Sequence, residues 1–270
     1  MSRYIVYLWL VAALVAPSLS IRVVLYAAQY RDAYETFLNG TAGLEYQGFI
    51  AKEDCAQLPN VTADVVLYPG EEYYNSCPTA FEALTELSLR GVHVVFTEWL
   101  IYRHTNELEG MSPVVFDSDY DYKPFNQTFI SYEGHPLLDG LPDGWVLEGG
   151  TSKVIAQEDA VVIAYVEWSK NSSATEVPIL SCRPNNQSDS IWVHINHDFL
   201  YQNSGGELND LQRIVLENAI RFVAEGECTP QESASSSTSS LEDSSSSSDG
   251  SGSTSSQESS ASTSQVFWML

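Results

Sequence analysis

Apolar residues along this chain fall into short continuous runs separated by amphipathic segments. Three runs, at 22–26, 63–70 and 92–97, are rich in β-branched residues and are typical of strands buried on both faces. A weaker strand is predicted near 46–52, and a helical turn or two over 31–38. The N-terminal half is therefore predicted to contain four strands.

Helical spacing separates the second and third apolar runs. Phe81, Leu84 and Leu87 share one face, Pro78 suits a first helical turn, and Gly91 suits the position just past a helix end. A strand, a helix and a strand joined by short loops indicate a right-handed crossover. The predicted fold class is therefore α/β with a parallel sheet.

The C-terminal half is less regular. Residues 103–150 are predicted to be rich in loops, and three strands are predicted near 160–167, 177–182 and 190–196. The last two are joined by the polar loop RPNNQSD, which favours an antiparallel pair. Apolar residues at helical spacing predict a final helix over 206–224.

Both termini differ from the body of the chain. Residues 1–20 combine Arg3, an apolar stretch and Ser18-Leu19-Ser20, which predicts a cleaved signal peptide, with an uncleaved anchor as the alternative. Residues 229–270 are predicted to form a disordered acidic tail, since 19 of the 35 residues from Gln231 to Gln265 are serine. That leaves residues 21–228 as one domain.

The last five residues, Val-Phe-Trp-Met-Leu, are apolar but too few for a glycosylphosphatidylinositol signal. They form either an ordinary terminus or the start of an anchor that is missing from this chain. A membrane partner is expected only in the second case, so the predicted location is secreted or at the cell surface.

The net charge restricts the partners. The chain carries 12 basic and 36 acidic residues; without Arg3 and the five acids of the tail, the domain keeps 11 and 31, a charge of −20. Such a charge repels phosphate backbones, so nucleic acid is excluded as a partner.

Four cysteines in a chain predicted to be secreted favour disulfides. Three pairings are open by count alone, and the predicted topology selects Cys55–Cys77 and Cys182–Cys228. The first pair follows the second and third strands, and the second joins the antiparallel pair to the end of the final helix. Glycosylation is predicted at five N-x-[ST] sequons, namely Asn39, Asn60, Asn126, Asn171 and Asn186.

Ligands of open α/β sheets bind beyond the carboxyl ends of the strands. The residues predicted there, and therefore predicted to bind a ligand, are Tyr30, Glu71, Glu72, Tyr73, Trp99, His194 and Tyr201. This set is rich in aromatic rings and carboxylates and poor in cations. It suits a carbohydrate or another small polar ligand better than a phosphate, and its carboxylates leave a divalent metal as an open alternative.

Several short motifs resemble the class I glutamine amidotransferase-like superfamily and, within it, the trehalose-utilisation (ThuA-like) group. They are the Thr97-Glu98-Trp99 turn after a strand, HPLLDGLP at 135–142, and IWVHINHDF at 191–199 before a closing helix. The resemblance implies a three-layer, flavodoxin-like, mostly parallel sheet with antiparallel edge strands near the C-terminus.

Catalytic members of that superfamily carry a cysteine nucleophile on the turn after the fourth strand, followed by a histidine and an acid after the last strand. The resemblance places Glu98 at the cysteine position and the histidine and acid within 194–198, so amidase chemistry is not expected. The leading hypothesis is a non-amidase ligand-binding domain without a required cofactor. A hydrolase or isomerase using Glu98, His197 and Asp198, with or without a divalent metal, is one alternative, and a structural surface glycoprotein is the other.

The acidic segment DSDYDY at 117–122 has the alternating acids of a calcium loop but lacks the glycine and the distal glutamate of an EF-hand. It is predicted to be a plain acidic loop.

Overall fold

The computed structural model of the chain describes residues 20–69, 77, 79–97, 110–121, 128–130, 133–146, 150–168, 175–197, 199 and 206–229. These residues belong to one compact unit that extends to Gln231. None of the helices within these ranges is long and apolar enough to cross a membrane.

The described residues form ten strands and three α-helices. The strands are β1 Ile21–Tyr26, β2 Leu44–Ile50, β3 Val65–Tyr68, β4 His93–Thr97, β5 Val114–Asp121, β6 Thr128–Ile130, β7 Thr151–Ala156, β8 Val161–Trp168, β9 Thr175–Pro184 and β10 Ile191–Ile195. The α-helices are α1 Arg31–Gly40, α2 Ala80–Leu89 and α3 Asp210–Glu225, and 3₁₀ segments cover Lys52–Asn60 and Pro136–Leu138.

Eight strands form one sheet in the order β2-β1-β3-β4-β10-β9-β8-β6. The pairs from β2 to β10 are parallel, whereas β9, β8 and β6 add antiparallel strands at the far edge. The predicted fold class, a mostly parallel α/β sheet with antiparallel edge strands from the C-terminal half, is confirmed.

The continuous apolar runs of the sequence form central strands of the sheet. All four residues of β3 are buried, which requires cover on both faces of the sheet. On one face, Trp192 of β10 donates its indole N–H to the hydroxyl of Ser88 in α2, at 2.9 Å. Helix α3 also contacts β3, β4 and β10. The predicted start of this helix, at 206, was early by four residues, because Asn209 and Gln212 form a capping box that begins it at Asp210.

The prediction that residues 103–150 are rich in loops missed two strands. Strands β5 and β6 lie in this stretch, and β7 follows it directly. The acidic segment at 117–122 was predicted to be a loop, which is wrong, since its residues up to Asp121 belong to β5. Tyr120 and Asp121 pair with Ser152 and Thr151 of β7, an irregularity interrupts the pairing over 117–119, and Lys153 of β7 forms an ion pair with Asp117 at 2.5 Å. Pairing over this sequence distance leaves no local signal.

Both predicted disulfides are present. Cys55 and Cys77 lie with their Cα atoms 6.1 Å apart, and Cys182 and Cys228 with theirs 6.0 Å apart. The antiparallel pairing of β9 with β10, from which the second bridge was predicted, is also confirmed. This bridge fastens the chain just past α3 to β9 in the interior of the sheet.

Candidate functional site

Four parallel strands have their carboxyl ends side by side. Tyr68 of β3 pairs with Phe96 of β4, and the next residue, Thr97, pairs with Ile195 of β10. Strand β1 ends there too, since the rings of Tyr26 and Tyr68 meet edge to face with centroids 4.7 Å apart. Open α/β sheets bind their ligands beyond the carboxyl ends of the strands.

A side-chain bond joins the ends of β3 and β4. The hydroxyl of Thr97, which is completely buried, donates to the carbonyl oxygen of Pro69. Thr97 directly precedes Glu98 in the sequence, and Pro69 precedes the segment that contains Glu71. The two chain segments that carry predicted site residues therefore leave the sheet from fixed and neighbouring points.

The end of β1 has an unusual backbone. Ala27 has a φ of 51°, in the left-handed region that residues with a side chain rarely adopt. Its N–H bonds to the carbonyl of Ile50, at the end of β2. This turn leads to Tyr30, a half-buried residue just before α1 that packs against the core. A Cβ on Gly206 would lie 3.7 Å from the ring of Tyr30, so the segment that leads into α3 also reaches this end of β1.

His194 lies inside the sheet rather than at its rim. It is completely buried on β10, with its ring centroid 5.0 Å from that of Phe96. No described residue hydrogen-bonds to either ring nitrogen of His194. Ser181 of β9 pairs with His194, and its buried hydroxyl likewise has no hydrogen bond to a described residue. Burial lowers the pKa of His194 to about 3, so the ring is neutral at ordinary pH. A direct contact between His194 and a ligand stays a prediction.

His197 is also enclosed. Its side chain is 1% exposed, and its ring meets that of Phe199 edge to face at 5.1 Å. His197 comes two residues after Ile195, which pairs with Thr97. Its proposed role as a base stays a prediction, because its proposed partners Glu98 and Asp198 lie outside the described residues.

Other predicted site residues also lie outside the described part of the chain. They are Glu71, Glu72, Tyr73, Trp99 and Tyr201. Two of the predicted glycosylation sites, Asn126 and Asn171, lie outside it as well. Within the described ranges no group of three histidine, cysteine, aspartate or glutamate side chains could hold a metal ion.

Asn196 is a structural residue of this region that sequence reasoning missed. Its buried amide accepts from the N–H of Ser152 at 3.1 Å and donates to the carbonyls of Ser152 and Pro178, both at 2.8 Å. It thereby ties β7 and β9 to the end of β10. An asparagine as the last residue of the predicted strand 190–196 was the available signal, since amides that become buried are nearly always hydrogen-bonded.

Substituting Asn196→Ala is expected to lower the free energy of unfolding by about 2–3 kcal/mol, because it leaves buried backbone groups of Ser152 and Pro178 without partners. Urea unfolding measures the change. Asn218→Ala is the control: its amide donates to one exposed and one partly buried carbonyl, and water can replace the exposed bond, so a smaller loss of about 1 kcal/mol is expected. Equal losses in the two variants would contradict the structural role of Asn196.

A groove of about 880 Å³ lies at the opposite, amino end of the strands. On its rim Arg22 donates to both carboxylate oxygens of Asp64, at 2.6 and 3.1 Å. These bonds hold the pKa of Asp64 below its usual range. Sequence reasoning did not predict this groove, because its walls come from the starts of several strands and the end of α3.

Comparison with solved structures identifies the fold. A ThuA-like protein from Bacteroides uniformis superposes with a TM-score of 0.53 at 16% identity, over 77% of this chain and 92% of that one. The cytoplasmic protein STM1381 of Salmonella typhimurium superposes with a TM-score of 0.57 at 10% identity, over 75% of this chain and 99% of that one. The chain shares the α/β fold of the ThuA-like protein, in agreement with the flavodoxin-like sheet predicted from the sequence.

A second cytoplasmic protein of Salmonella typhimurium, STM3548, has a TM-score of 0.53 at 14% identity, over 75% of this chain and 98% of that one. No family model matches the sequence, and no curated protein matches it. At these identities the ThuA-like and Salmonella structures show a shared fold alone.

Proposed function

We propose that this protein is a secreted glycoprotein whose domain binds a carbohydrate-like or other small polar ligand over the carboxyl ends of β1, β3, β4 and β10, without amidase activity. The observation that carries the non-amidase part of the proposal is the pairing of all four cysteines in disulfides. Thiolate attack on an amide needs a free cysteine, and the position that follows β4 is occupied by Glu98.

The frame around this end of the sheet supports ligand binding. The bond from Thr97 to Pro69 and the three bonds of Asn196 fix the ends of β3, β4 and β10. A rigid frame that carries variable loops is the usual arrangement for a binding site. Tyr30 stands at the end of β1 beside Gly206, where an aromatic ring is suited to stacking on a sugar.

The charge of the domain supports a neutral ligand. With 11 basic and 31 acidic residues within 21–228, the domain repels phosphorylated sugars and other polyanions. A ligand that is rich in hydroxyl groups carries no such penalty, and exposed carboxylates can accept its hydrogen bonds.

Binding of the glycosylated domain to a glycan library tests the proposal. The double variant Glu98→Ala/Trp99→Ala is expected to bind the selected glycan at least about tenfold more weakly, a loss of about 1.4 kcal/mol. Tyr165→Ala is the matched control, because this tyrosine lies on β8, three strands from β4. Unchanged thermal unfolding shows that both variants are folded. No binding to any glycan, or equal binding by wild type and the double variant, would remove the proposal.

The register between β4 and β10 favours a second candidate, an enzyme. Thr97 precedes Glu98, and its partner Ile195 precedes His197 by two residues, so the chain leads toward an acid and a base from paired positions of neighbouring strands. A hydrolase or isomerase using Glu98, His197 and Asp198, with or without a divalent metal, would return the selected glycan chemically changed. Mass spectrometry of the recovered ligand separates this candidate from simple binding.

A structural surface glycoprotein is the remaining alternative. It predicts no ligand for wild type at all, so the same library screen distinguishes it from both other candidates.

A further inference from the structure

Strand β2 is the outer strand of the sheet on the side of β1. Within the described residues it pairs only with β1, and Glu45 and Gln47 along it are exposed. It is seven residues long, whereas the opposite edge strand, β6, has three. A long outer strand offers unpaired backbone groups to another chain, so soluble proteins usually cover or interrupt such edges.

A bulge opens a groove beside this strand. Tyr46 pairs with Val23 and Gly48 pairs with Val24, so Gln47 has no counterpart in β1. Gly48 has a φ of 143°, a backbone conformation that other residues rarely adopt. The groove next to the bulge has a volume of about 400 Å³ and lies over β1 and β2, where Val24 and the β2 residues from Gln47 to Ile50 line it.

A complete glycosylation sequon lines the same groove. Asn60, Val61 and Thr62 all contribute to its wall, and the side chains of Asn60 and Thr62 are exposed. The 3₁₀ segment that ends at Asn60 is anchored by the disulfide from Cys55 to Cys77. The acceptor asparagine is therefore held beside the bulged part of β2.

We infer that an N-linked glycan on Asn60 covers the outer edge of β2 and prevents this edge from pairing with a second copy of the chain. The inference rests on the secretory assignment in the proposed function. An oligosaccharide on a lipid pyrophosphate is the donor: a bond forms between Asn60 Nδ2 and the anomeric carbon, the bond from that carbon to the pyrophosphate breaks, and Nδ2 loses a proton. The bulky hydrated glycan, attached at the groove, then extends past β2 into the space that an added strand needs.

The glycan is favoured over other occupants because its attachment site is itself part of the groove wall. A second copy of β2 or an extended peptide would have to pair beside the bulge, where the register with β1 is interrupted. These occupants remain as outcomes of the experiment.

The experiment compares wild type with Asn60→Gln and Asn186→Gln, all expressed in a host that adds N-glycans. Asn186 lies in the turn between β9 and β10, is also exposed, and provides the same substitution away from β2. Peptide mass spectrometry reads glycan occupancy, and light scattering during size-exclusion chromatography reads mass against concentration. Asn60→Gln is expected to form larger species than wild type as concentration rises, whereas Asn186→Gln is expected to match wild type.

A further variant shows whether β2 is the associating edge. Adding Gln47→Lys to Asn60→Gln places a charge on this strand and is expected to restore the wild-type mass. Persistence of the large species in the double variant would overturn the inference, as would an Asn60→Gln protein with the mass of wild type.

Glycan occupancy separates the inference from the proposal on which it rests. Glycans on other sequons with none on Asn60 would overturn the inference alone. Absence of glycan from every sequon would overturn the secretory assignment as well. The glycan-library screen reports on ligand binding independently, because Asn60→Gln leaves Glu98 and Trp99 intact.

Discussion

Removal of the bridge between Cys182 and Cys228 is expected to lower the free energy of unfolding by about 4 kcal/mol. The bridge closes a loop of 46 residues, and in the chain-entropy model the unfolded state gains about this much freedom when such a loop is opened. Both cysteines are buried, so Cys182→Ala/Cys228→Ala is the suitable variant, since alanine leaves no buried hydroxyl. Urea unfolding under non-reducing conditions measures the difference.

Ser181→Ala serves as the matched control. Ser181 is the buried neighbour of Cys182 on β9, and its hydroxyl bonds to no described residue. Its truncation is therefore expected to change stability by no more than about 0.5 kcal/mol. A double alanine variant as stable as wild type would show that the bridge does not hold α3 to the sheet.

Stability is expected to fall steeply in acid because His194 is buried in its neutral form. Its pKa is about 3 in the folded protein and 6.5 when unfolded. Below pH 6.5 the unfolded state takes up a proton that the folded state does not, so this contribution to stability is complete above pH 6.5. It is lost at about 1.4 kcal/mol per pH unit until the pH approaches 3. His135, whose pKa burial lowers to about 4, adds a contribution of the same sign.

The variant His194→Leu isolates the contribution of this residue. Denaturant unfolding between pH 7 and pH 4 is expected to show a shallower loss of stability for the variant, by about one proton. Val193→Ala, next to His194 on β10, is expected to destabilise the protein by a similar amount at every pH, which separates packing from protonation. Parallel pH profiles for wild type and His194→Leu would contradict the assignment.

The candidate site was only partly open to prediction. The carboxyl ends of the strands were located from the sequence, because the sequence changes from apolar to polar residues where each buried strand ends. Whether a polar residue there faces a ligand or the core was not predictable. His194 and Asn196 are both polar residues near the end of one predicted strand. In the structure His194 packs on Phe96, whereas Asn196 hydrogen-bonds to β7 and β9. These partners come from remote parts of the chain.

The sequence by itself determined the central strands, the positions of α2 and α3, and both disulfide pairings. Each of these follows from local periodicity, from turn residues, or from the order of strands that such periodicity implies. Only the tertiary structure decided that the acidic segment containing Asp117 is a strand, that Thr97 fastens β3 to β4, and that Asn60 lines one groove together with residues of β2. The physical reason is that these features depend on hydrogen bonds and burial between segments distant in sequence, for which local patterns carry no signal.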